Sequence, residues 1–203
     1  MTIKEMDRLT AHFDRYFKQS DCRVLHATDG LLPHIDVLVY PPNAVYPFWK
    51  LATMGASDCK MPAPKQALGN RNEYMRFVDA SEDLTDPAVV RWYYTMLRGI
   101  ASYPTEAHSF VSYGHSVEWG EEDDTDIVGA FIEMPQIIED VGVLRCKLGL
   151  LKQTVCLQVV LLTQNEMDQM QTIGREAFSE YLYPEDGGRP HFLCQRYRTE
   201  RFS

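Results

Sequence analysis

Residues 154–162, Thr-Val-Cys-Leu-Gln-Val-Val-Leu-Leu, constrain the fold of this chain more than any other segment. Only Gln158 interrupts the apolar run after Thr154, and the alternation of a half-solvated strand is absent. A short run of this kind, rich in β-branched residues, reads as a strand buried on both faces and central in its sheet. Six other segments, 34–40, 48–54, 73–79, 110–117, 127–134 and 143–148, also read as strands. In the first of them Ile35, Val37 and Val39 point one way, and Pro41-Pro42 then removes two amide donors and stops the ladder. With the Pro/Gly-bearing connection at 61–70, the first half reads as an antiparallel meander.

Three helices are expected. Ile3, Met6, Leu9, Phe13, Tyr16 and Phe17 recur at steps of three and four, giving an amphipathic helix that ends near Ser20. Asp86-Pro87 is a helix start, since the carboxylate accepts orphan amide hydrogens and proline sits where no N–H is needed. Val89, Trp92, Tyr93, Met96, Leu97 and Ile100 form its expected stripe, and Pro104 should end it by Tyr103. Thr163-Gln164-Asn165-Glu166 has the spacing of a capping box; Met167, Met170, Ile173, Ala177, Phe178 and Leu182 extend a third helix towards Pro184. The resulting fold class is α+β: a largely antiparallel or mixed sheet packed with about three helices in a single domain, residues 1–183. The polar, Arg-rich tail 184–203 is expected to be poorly ordered unless it docks.

Charge narrows the function classes. The 203 residues carry 20 Lys and Arg against 29 Asp and Glu, a net charge of −9. Nucleic-acid binding draws its affinity from cations that neutralise phosphates, so it is disfavoured, and a basic protein partner is favoured. No segment approaches the roughly 18 apolar residues of a membrane span, and the first twenty residues lack the apolar stretch of a secretory signal. Cys22, Cys59, Cys146, Cys156 and Cys194 are odd in number and widely spaced, which argues against a disulfide framework and for the cytoplasm.

Catalytic and metal constellations are weak. The six His lack the H-x-x-x-H or H-x-H spacing of a metal site, no phosphate-binding glycine loop exists, and neither a metal nor a cofactor is expected. Ser57, Asp58 and His115 have the residue types of a hydrolase triad, but Met-Gly-Ala-Ser-Asp is not a G-x-S-x-G elbow. Cys59 with His115 has no local signal for a lowered thiol pKa. Six acidic residues lie between 118 and 126, namely Glu118, Glu121, Glu122, Asp123, Asp124 and Asp126, without the spacing of a calcium loop. They read as a solvated loop, as a surface for a cationic partner or, least of the three, as ligands for a hard cation. Tyr113-Gly114-His115, followed by Trp119-Gly120, marks a tight turn or a close backbone approach.

Several blocks, read in order, resemble the suppressor-of-fused domain family. The strand from His34 to Pro42 leads into Leu51-Ala52-Thr53-Met54-Gly55-Ala56-Ser57-Asp58, similar to that family's Leu-x-Thr-x-Gly-x-Ser-Asp segment. Trp92, Leu97 and Ala101-x-Tyr103-Pro104 follow, then Tyr113-Gly114-His115-Ser116-Val117, then Gly129-Ala130-Phe131 with Met134-Pro135, and the capping-box helix after Leu161. The resemblance covers about residues 35–182. It implies an α+β domain without established catalytic activity that acts through protein contacts. The animal namesake is a negative regulator of Hedgehog signalling that holds zinc-finger transcription factors between two domains. This chain is too short for a second domain and is like the stand-alone bacterial members, which are proposed to be immunity proteins that neutralise toxin domains.

The expected function is therefore non-enzymatic protein binding, by an immunity protein or another inhibitor of a protein partner such as a basic toxin domain. The acidic residues from Glu118 to Asp126 are the candidate partner surface, and Gly55, Ser57, Asp58, Tyr113, Gly114 and His115 are the family-motif positions. The alternative is a hydrolase or ligand-binding enzyme with a pocket around Ser57, Asp58 and His115.

Overall fold

The computed structural model of the chain describes residues 1–28, 30, 32–120, 125–183 and 191–197. Its first helix, α1 (Ile3–Phe17), opens on a capping box: Thr2 accepts from the Glu5 amide, and the Glu5 carboxylate accepts from the Thr2 amide. It buries Leu9, Phe13, Tyr16 and Phe17, whereas Ile3, at the head of the expected stripe, is exposed.

Four strands follow, β1 (Arg23–Leu25), β2 (Asp36–Tyr40), β3 (Trp49–Met54) and β4 (Asn72–Val78), each antiparallel to the next, and the last three are the expected meander. After α2 (Pro87–Glu106) come β5 (Ser116–Glu118), β6 (Ile127–Glu133), β7 (Arg145–Lys147) and β8 (Gln153–Thr163). The strands form one eight-stranded sheet in the order β1-β2-β3-β4-β8-β6-β5, with β7 also on β8. β8 is central, as its apolar run implies. It runs parallel to β4, from Asn72 opposite Val155 to Met75 opposite Gln158, and antiparallel to β6 and β7. Val155 pairs with both Asn72 and Arg145, so β7 and β6 lie end to end along the edge of β8 away from β4.

Both faces of this mixed sheet are covered. α1, α3 (Gln164–Ile173) and α4 (Arg175–Leu182) pack one face, where Phe13, Phe17, Met167 and Phe178 meet Leu38, Phe77, Phe131 and Val160. α2 packs the other, where Tyr93, Leu97 and Ile100 meet Val37, Tyr74, Leu157 and Val159. This is a single α+β domain, and the double coverage explains why β2, β4 and β6 are buried along their whole length.

Among the described residues four α-helices replace the expected three, because the third is divided at Gly174. With φ at 84°, Gly174 closes α3 by donating to the Met170 carbonyl and opens α4 by accepting from the Phe178 amide, 3.0 Å each. Phe178 and Leu182 are thereby turned into the core, while Ile173 and Ala177 face solvent. α2 does not stop at Tyr103 but runs through Pro104 to Glu106. Proline disfavours helical geometry in the residue before it without forbidding it, and here burial of Ile100, Ala101 and Pro104 outweighs that preference. Trp92 and Met96 are half-buried at the flank of the stripe rather than in it. Of the expected strand 110–117 only the last two residues are extended into β5, and β1, three residues at the sheet edge, was not anticipated. Residues 191–197 dock: Cys194 bridges Val78 in parallel, Phe192 and Cys194 are buried, and Arg196 binds the Glu82 carboxylate. No helix among the described residues is long and apolar enough to cross a membrane.

Candidate functional site

Three consecutive residues of β4, Asn72, Glu73 and Tyr74, organise both family-motif segments. Glu73 is fully buried. One of its carboxylate oxygens accepts from the Gly55 amide at 3.1 Å, the Ser57 amide at 3.0 Å and the Ser57 hydroxyl at 2.6 Å; the other accepts from the Thr53 hydroxyl at 2.6 Å. Burial pushes this carboxyl above its usual range, against the pull of those donors. The chain turns out of β3 at Gly55, whose φ is 126° and whose missing Cβ would collide with the His34 carbonyl oxygen. Only glycine fits there. Arg71 then holds the carbonyls of Ser57 and Asp58, each at 2.6 Å. The Asp58 carboxylate meets the Met1 ammonium and Lys152, the latter at 2.7 Å, and Lys152 also reaches Glu5 at 3.2 Å.

On either side of Glu73, Asn72 and Tyr74 donate to the Val111 carbonyl at 2.9 and 3.1 Å. That places the second motif segment. The Gly114 amide donates to the Ile132 carbonyl, and the Ile132 amide to the His115 carbonyl, both at 2.8 Å, so the turn is stitched to β6. Gly114 has φ 80°, and a Cβ on it would lie 2.7 Å from an Arg175 guanidinium nitrogen. Arg175, at the head of α4, sits 5.8 Å from the Tyr113 ring centroid.

The three residues of the hydrolase alternative do not assemble. Ser57 is buried and its hydroxyl is bound to Glu73; Asp58 faces Met1 and Lys152; His115 is exposed, with Nδ1 2.9 Å from the Ser112 carbonyl. Among the described residues no hydrogen bond joins them. No group of three or more His, Cys, Asp or Glu is poised for a metal ion among the same residues.

A different feature lies beside the second motif. Between α2 and β5 runs an apolar groove of about 260 Å³, lined by Met96, Ile100, Tyr103, Val117 and Trp119, with Glu118 at its rim. β5 ends the sheet. The residues flanking β5, His115 and Trp119, bond inward to β6, which by antiparallel alternation turns the amides and carbonyls of Ser116 and Glu118 outward. Glu118 and Asp126 are exposed, at the start and end of the acidic run. Glu121, Glu122, Asp123 and Asp124 lie outside the described residues. The sequence pattern pointed to the acidic residues but not to the groove, because Tyr103 and Trp119 are separated in sequence and meet only through the packing of α2. It also passed over Glu73, which reads in the sequence as one more strand residue.

The curated proteins contain no match to this sequence. Solved structures with the same fold include the Sufu–Fu complex, with a TM-score of 0.67 at 12 % identity over 95 % of this chain and 89 % of that one. They also include a suppressor-of-fused homologue from Neisseria gonorrhoeae FA 1090, with a TM-score of 0.64 at 16 % identity, covering 95 % of this chain and 94 % of that one. Drosophila Suppressor of Fused aligns with a TM-score of 0.64 at 12 % identity over 94 % of this chain, which spans 49 % of the fly chain. The family model for Suppressor of fused protein (SUFU) matches residues 32–191, most of the sequence, and the chain belongs to the suppressor of fused family.

Proposed function

We propose that this chain is a non-enzymatic protein-binding domain that inhibits a basic protein partner, in the manner of an immunity protein neutralising a toxin domain. The observation that carries the reading is the groove between α2 and β5: apolar side chains, an outward-turned strand edge and the Glu118 carboxylate in one place. An extended basic segment is suited to such a surface, because main-chain hydrogen bonds supply affinity and the groove selects its apolar side chains. The net charge of −9 favours encounter with a cationic protein. The fold neighbour crystallised as the Sufu–Fu complex is itself a protein bound to a protein, which supports the same class of activity.

The test is a pull-down from the native host with wild-type chain and with the groove variants Met96→Asp and Val117→Glu. The expected outcome is a basic partner captured by wild type and lost by both variants, with their melting temperatures kept. Capture indifferent to both substitutions would reject the groove as the binding surface.

A further inference from the structure

The β7–β8 hairpin end of the molecule carries a charge pattern opposite to that of the whole chain. A cleft of about 290 Å³ is lined there by Lys60, Arg71, Arg145 and Leu151 together with the 68–70 turn, and none of its lining residues is acidic. Lys60, Arg71 and Arg145 have no carboxylate partner among the described residues. Arg71 is held by the Ser57 and Asp58 carbonyls, and Arg145 by the Leu68 carbonyl at 3.1 Å. Main-chain carbonyls orient a guanidinium without neutralising it, and each fork keeps N–H donors to offer. The nearby carboxylates of Asp58 and Glu5 are already engaged by Lys152. An acidic protein that keeps three uncompensated cations around one cleft, two of them fixed in direction, has the makings of an anion site.

We propose that this cleft binds a phosphate group. A tetrahedral anion with several acceptor oxygens matches two oriented guanidinium forks and an ammonium better than a single carboxylate does. The phosphate can come from a small phosphorylated molecule or from a lipid headgroup. The second source is suggested by the hairpin tip beside the cleft, where Leu150 and Leu151 are each 99 % exposed. Two leucines projecting next to cations is an arrangement that enters the boundary of an anionic bilayer.

The experiment uses the full chain in two arms. In the first, inorganic phosphate and pyrophosphate are titrated calorimetrically into wild type and a Lys60→Ala/Arg145→Ala double variant, with Lys65→Ala as a charge control. In the second, vesicles of phosphatidylcholine alone or with phosphatidylglycerol are co-sedimented with wild type, with the double variant and with Leu150→Asp/Leu151→Asp. Saturable phosphate or pyrophosphate binding, weakened about tenfold or more in the double variant and not in the control, supports the site with a soluble source. Sedimentation only with phosphatidylglycerol vesicles, lost in both double variants, supports it with the lipid source. No binding in either arm overturns the proposal, as does binding that the double variant retains. Both variants change exposed residues and leave the α2–β5 groove intact, so these outcomes are separable from those of partner binding.

Discussion

Glu73 is where a single residue has the largest consequence. Four donors converge on its carboxyl, and removing it leaves the Thr53 hydroxyl, two amides and the Ser57 hydroxyl buried without their acceptor. Glu73→Ala should cost about 3 kcal/mol or more, read from the urea midpoint. Glu73→Gln asks a finer question. Burial raises the carboxyl pKa in the folded chain, so the folded state holds its proton to higher pH than the unfolded one. The stability contributed by this group is then complete below its ordinary value of 4.5 and is lost as pH rises through the folded value. The amide of the Gln variant does not titrate. Relative to that variant, wild type should be most stable near pH ~4 and lose ground towards pH ~8 in parallel urea titrations. A difference independent of pH would show that the folded carboxyl is not shifted. Gly55→Ala should be costly for another reason, since its φ and the His34 carbonyl both exclude a side chain; a loss of about 2 kcal/mol or more is expected by the same measurement.

At the scale of elements, α2 separates burial from binding along one helix. Leu97 is fully buried in the core between α2 and the sheet, and Leu97→Ala should cost about 2–5 kcal/mol in denaturant unfolding. Met96, one residue earlier, lines the groove and is half-buried, so Met96→Ala should cost under about 1 kcal/mol. Equal losses at both positions would reject this division of faces. The elements most legible in the sequence were those with local chemical punctuation. The Asp86 cap, with Pro87 behind it, and the Thr163–Glu166 box both form as their spacing implies, and the apolar run 154–162 is central. What escaped was decided by distant packing. Gly174 divides a helix whose apolar spacing is continuous, α2 continues through Pro104, and three-residue β1 exists through its pairing with β2. The site was legible in part. The motif residues of 55–58 and 113–115 were visible, but their common support on Asn72-Glu73-Tyr74 depends on strand pairing that no local pattern reports.

The whole molecule is governed by its charge and by its docked tail. Neutralising Glu121, Glu122, Asp123 and Asp124 to their amides should slow association with a basic partner at low salt while changing stability by less than about 0.5 kcal/mol. Stopped-flow rates across a salt series check this, since electrostatic steering is screened over roughly 8 Å at physiological ionic strength. An on-rate indifferent to both would assign the acidic run to solvation alone. A chain ended after residue 190 loses the buried Phe192 and Cys194 and the bridge to Val78, and should be about 3 kcal/mol or more less stable by urea unfolding.

The parallel junction of β4 with β8 also sets a timetable. The meander is complete by Val78, yet the strand that covers the other edge of β4 is not finished until Thr163, 85 residues later. At the usual pace of translation that interval is roughly 4–17 s. During it the nascent chain carries a ready-made template for mispairing, and so does any refolding chain until the long loop closes. Recovery from denaturant should therefore fall as protein concentration rises, and a substitution that weakens the Tyr74–Leu157 pairing should slow refolding more than it speeds unfolding.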